Sequence, residues 1–101
     1  MTIIIANMRK GRKNVDFVCD RTSPLGNPFY MGNESERDYV CDSFDRYFQK
    51  NLNPDIAPVG FLEYLDEILQ ATKKGDVTLG CWCAPLRCHC TTIKNYVETQ
   101  I

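Results

Sequence analysis

The chain has 101 residues, with 12 Lys and Arg against 13 Asp and Glu, which gives room for a single domain over 1–101 with a real core. A net charge of −1 and a pI near 5.7 exclude the broad basic face that grips duplex nucleic acid. The composition is that of an ordinary globular protein, and no segment approaches the roughly 20 apolar residues a membrane span requires.

Residues 2–6, apolar and β-branched, read as a buried strand. No charged stretch precedes them and the run is too short for a secretion signal, so a cytoplasmic protein is expected. A basic turn over 9–14 follows, with Gly11 as its flexible point; it is a solvated loop or a source of phosphate contacts. Residues 15–19 read as a second strand, with Val15, Phe17 and Cys19 on one face. Ser23-Pro24-Leu25-Gly26-Asn27-Pro28 can continue neither strand nor helix and forms a loop.

A helix is expected over about 36–51, capped by Asn33 or Ser35, with Val40, Phe44, Tyr47 and Phe48 at helical spacing. A second, over about 59–73, carries Phe61, Leu62, Leu65, Ile68 and Leu69 on one side and stops at Gly75. Residues 76–83 read as a third strand and 84–87 as a turn. A last helix over about 88–99 packs Ile93, Tyr96 and Val97. Strands separated by helices predict a small three-layer α/β sandwich of Rossmann-like character, with a short, mostly parallel sheet and about three helices. Ligands of such sheets sit beyond the carboxyl ends of the strands, against helix N-termini. Two segments meet that description: 21–29 after the second strand and 81–90 after the third.

The second of these, Cys81-Trp82-Cys83-Ala84-Pro85-Leu86-Arg87-Cys88-His89-Cys90, holds four of six cysteines and the single histidine. Core filling does not explain that density, and in a reducing cytosol metal or thiol chemistry explains it better than disulfides. One reading is a tetrahedral zinc on Cys81, Cys83 and Cys88 with His89 as the fourth ligand, or Cys90 in its place. Cys81 and Cys83 would share one face of a strand. A second makes Cys88, activated by a helix N-terminus and Arg87, a nucleophile beside His89. The plain alternative is that cysteine packs as a small hydrophobe.

A third reading makes the segment one wall of a ligand cleft. The N–H groups at 88–90 and the Arg21 and Arg87 guanidinium groups would hold an anion. Gly26 and Asn27 would shape and orient the facing loop, Asn7 would face the same cleft, and Phe29 or Trp82 would stack on a ring. Trp82, alternating with two same-facing cysteines, is expected to point the other way.

Arg21-Thr22-Ser23-Pro24-Leu25-Gly26-Asn27-Pro28-Phe29 with Cys81-Trp82-Cys83-Ala84-Pro85 and Cys88-His89 resembles domain-of-unknown-function family 4326, small proteins of bacteriophages and bacteria. The likeness runs from the Asn7 region to the last helix. That family has glycine after the Cys-His pair where this chain has Cys90, so the resemblance does not imply a metal site that needs Cys90. It implies a phage or bacterial origin, with the host cytoplasm as location if phage-encoded, and leaves the reaction open.

The leading expectation is a cleft that binds a nucleotide or nucleotide-derived small molecule. If the site is catalytic, with Cys88 and His89 as its groups, the bond expected to be cut is N-glycosidic or phosphate. The rivals are a protein that sequesters a nucleotide signal without turnover and a zinc-stabilised module that binds a host protein.

Overall fold

The computed structural model describes residues 2–10, 15–29, 31–82 and 86–100. The apolar run at the start forms strand β1, Ile3–Asn7, and the run after Gly75 forms β3, Val77–Cys81. They pair in parallel, from Ile3 opposite Val77 to Asn7 opposite Cys81. A short β2, Phe17–Val18, flanks β3 on its other side, also parallel. The order β1-β3-β2 puts β3 in the centre. It is buried at every position but Thr78, as a central parallel strand between two covered faces should be.

β2 is shorter than expected, for a physical reason. Asp16 donates its N–H to the Thr78 carbonyl, but the Thr78 N–H is taken by the Asp16 carboxylate at 2.8 Å rather than by a strand carbonyl. The alternation breaks there. Phe17 packs edge-on against Tyr64, and Cys19 joins the core. Val15 lies on the opposite face with Met8: a Cβ added at Gly80 would stand 2.7 Å from Val15 Cγ1 and from Met8 Sδ. Val15, Phe17 and Cys19 therefore do not share a face.

Helix α1 spans Arg37–Lys50 and follows a 3-10 turn at Glu34–Glu36. Asn33 opens that turn, accepting the Ser35 N–H at 3.0 Å, the capping role its side chain suits. Val40, Phe44 and Phe48, four apart, are buried. Helix α2 spans Phe61–Thr72. It starts at Gly60, whose φ of 85° leaves Val59 fully exposed ahead of it. Helix α3 spans Cys90–Thr99 and buries Ile93 and Val97; the expected start at 88 falls two residues early.

The buried faces of all three helices form one cluster with Ile3, Val77, Leu79 and Cys81. On the other side of the sheet Ile4 is 46% exposed, and among the described residues Met8, from the 3-10 turn Met8–Lys10, and Val15, before β2, pack there against Gly80. Among the described residues no helix covers this face, and the 3-10 turn stands where a third layer was expected. Tyr64 ties α2 to the sheet by donating to the Val18 carbonyl at 2.6 Å, and burial pushes its hydroxyl up to about 12. None of the described helices is long and apolar enough to cross a membrane.

Leu65, on the buried stripe of α2, is 3% exposed. Leu65→Ala is expected to cost about 2–5 kcal/mol, the range for truncating a packed leucine. Chemical denaturation would read the loss as a lower midpoint at unchanged slope; a cost below about 0.5 kcal/mol would mean this face is not core.

Candidate functional site: a cleft at the carboxyl edge of the sheet

The loops after β2 and β3 do meet. They line a cleft of about 360 Å³ together with the first turns of α1. Asp20, Arg21, Asn27 and Phe29 come from one loop, Trp82, Arg87, Cys88 and His89 from the other, and Arg37 and Val40 from α1. The sheet produces this directly, because β2 and β3 are parallel neighbours and release their chains at the same edge.

The 21–29 loop is held by its own polar groups. Arg21 donates from Nε to the Asn27 carbonyl at 3.1 Å and from Nη2 to the Phe29 carbonyl at 3.0 Å. Asn27 Oδ1 accepts the Phe29 N–H at 2.9 Å, closing an Asx-type turn. Leu25 is wholly buried and anchors the loop in the core. Gly26 does not line the cleft; it lets the loop lie on the Asp20–Arg21 backbone, where an added Cβ would overlap the Asp20 carbonyl and stand 2.6 Å from Arg21 Cα. Backbone cannot step aside as a side chain can. Gly26→Ala is therefore expected to cost about 1–3 kcal/mol by overpacking and to displace Arg21. A thermal melt unchanged by the substitution would contradict this.

Trp82 faces the cleft, against expectation. β3 ends at Cys81, so the two-residue alternation no longer governs Trp82. Its indole N–H donates to Asp20 Oδ2 at 3.1 Å, and the side chain stays 41% exposed. Asp20 Oδ1 accepts the Thr22 N–H at 2.8 Å as well as the Thr22 hydroxyl. The Asp20 carboxylate thus braces both loops.

Arg87 reaches the cleft edge, but its guanidinium pairs with Asp38 at 2.9 Å and Asp42 at 2.7 Å on α1. Those bonds hold its pKa above the ordinary value. Arg37 donates to the Arg87 carbonyl at 2.8 Å and pairs with Glu34, lowering the Glu34 pKa. Asn7 lies at the same sheet edge as expected but outside the cleft lining; its amide bonds the Arg9 N–H at 2.8 Å and the Trp82 carbonyl at 3.5 Å.

The sulfur groups gather on the inner wall. The Sγ atoms of Cys81, Cys88 and Cys90 lie within 4.8 Å of one another, and all three residues are buried. Cys81 and Cys88 are 3.4 Å apart. Three such thiols could hold a metal ion. Cys83, expected in the ligand set, lies outside the described residues. His89 takes no part in the triad: its Nε2 bonds the Cys19 carbonyl. A carbonyl only accepts, so that nitrogen carries the proton. Burial lowers the His89 pKa, which keeps the ring neutral. The hydrogen bond to Cys81 and burial push the Cys88 thiol up to about 12, the reverse of the lowered pKa a nucleophile needs.

Two site features escaped the sequence reading. Cys90 was weighed only as a substitute for His89, although it shares the decapeptide. Arg37 lies within a helix pattern that gives no sign it would line the cleft.

No curated protein and no solved structure matches the chain. A family model described as a domain of unknown function, DUF4326, matches residues 6–99. That span takes in both cleft loops and every helix, and the chain belongs to the DUF4326 family.

Proposed function

We propose that the cleft binds a nucleotide or nucleotide-derived small molecule and works by binding it rather than by turning it over. The observation that carries this is the joint lining by two aromatic rings and three guanidinium groups. Phe29 and Trp82, 38% and 41% exposed, line the same cleft as Arg21, Arg37 and Arg87. A flat ring with an anionic tail matches that pairing of stacking faces and charged donors. Sequestration is favoured over hydrolysis because the Cys88 sulfur is buried against that of Cys81, 3.4 Å away, while Asp20 is committed to Trp82 and Thr22. A cytoplasmic setting, the host's if a phage encodes the chain, fits both the ligand class and the cluster of reduced thiols.

The test is mass spectrometry of small molecules released when freshly purified protein is denatured, followed by titration of the identified compound. Arg21→Ala should weaken binding about tenfold or more, since a hydrogen bond to a charged group is worth roughly 1.5–3 kcal/mol. Equal affinity in the variant would remove Arg21 from the site.

The Cys81, Cys88 and Cys90 triad supports a second element of this reading, a structural metal. Zinc is the ion that buried thiolates of a cytosolic protein suit best. It would stiffen the cleft wall rather than meet the ligand.

A further inference from the structure

We infer that Cys19 supplies the fourth thiolate of a metal site completed by Cys81, Cys88 and Cys90. The inference rests on the metal reading of the triad, and goes beyond it in naming the ligand that closes the tetrahedron.

Strand register places Cys19. Val18 is opposite Gly80, so Cys19 and Cys81, each one residue further on, leave the sheet side by side on parallel neighbours. The Cys19 N–H confirms the placement by donating to the Gly80 carbonyl at 2.9 Å. Cys19 is 0% exposed and belongs to the same buried cluster as the triad. Its thiol contacts that of Cys90, which in turn contacts Cys81 and Cys88.

Zinc with Zn–S bonds near 2.3 Å sets its sulfurs about 3.8 Å apart in a tetrahedron. The triad already lies near that spacing. Cys19 Sγ lies outside the mutual 4.8 Å of the triad and 4.0 Å from the Phe17 carbonyl, too long a contact to hold it strongly, and the inferred site requires it to turn about χ1 towards the ion.

The surroundings suit thiolates. The Cys90 N–H donates to the Cys88 sulfur, and the sulfurs gather at the start of α3, where the helix dipole favours negative charge. His89 buttresses the site from outside by holding the Cys19 carbonyl, the kind of support that orients metal ligands. Four thiols binding one divalent ion release four protons. The ion then links the ends of β2 and β3 to the start of α3, joining both walls of the cleft.

The experiment is a cadmium-113 to proton correlation spectrum of the full wild-type chain loaded with cadmium alone. It shows which cysteine β-protons couple to the ion and needs no substitution that could unfold the protein. Couplings from Cys19, Cys81, Cys88 and Cys90 to one ion are expected. The triad coupled together with Cys83, or with no further cysteine, would overturn the assignment of Cys19 and leave the triad standing. No bound cadmium, or a ligand set lacking members of the triad, would overturn both.

Discussion

Stripping metal from protein purified without chelator should lower its melting temperature by about 10 °C or more. An ion held by the folded chain alone stabilises it by mass action. Structural zinc sites contribute far more than the few kcal/mol needed here, and each kcal/mol is worth about 4–8 °C in a domain of this size. The core itself should survive, because protonated cysteines pack as small hydrophobes and Cys81, Cys88 and Cys90 are buried among apolar neighbours. What is lost is the link between the end of β3 and α3. Differential scanning fluorimetry with and without chelator, beside a zinc assay, reads the result. An unchanged melt from protein that holds no zinc would end the metal reading.

Phe44→Ala should cost about 3–5 kcal/mol. That is a third or more of the stability of many domains this size. Phe44 is wholly buried and stacks at tilted angles on Tyr47 and Phe48, with ring centroids 5.8 and 6.0 Å away. It also meets His89 edge-on at 5.0 Å. The same ring therefore fills the core and fixes the imidazole that holds the Cys19 carbonyl. Denaturant unfolding should show the lowered midpoint, and the His89 ring resonances should broaden or shift in the fraction that stays folded. A cost under about 1 kcal/mol would mean that the α1 face is not packed as described.

The helices were legible because Phe44, Tyr47 and Phe48, like Phe61, Leu65 and Ile68, combine intervals of three and four that only a helix can place on one side. The first and third strands were legible as apolar runs set off by turn residues. The second strand was legible in place but not in length or facing, since nothing in its pattern shows that the Asp16 side chain takes the Thr78 N–H in place of a backbone group. That both loops would share a cleft followed from the parallel-sheet rule. The details inside it depended on where strands stop. Trp82 turns into the cleft because β3 ends one residue earlier, and Arg87 turns to α1 because Asp38 and Asp42 await it there. Cys90 stands in the sequence only as an alternative to His89, because the resembled family has glycine at that place, yet the first turn of α3 carries its thiol to Cys81 and Cys88.

The most direct test of the cleft is the indole N–H resonance of Trp82, the single tryptophan, followed in a proton–nitrogen correlation spectrum of the wild-type chain. Nucleoside mono-, di- and triphosphates and signalling nucleotides would be titrated in turn. The account predicts that at least one of them shifts the Trp82 indole together with the backbone N–H groups of Arg21, Thr22 and Phe29, with the same midpoint for all. Shifts confined to residues outside the cleft, or a spectrum that no nucleotide changes, would contradict it.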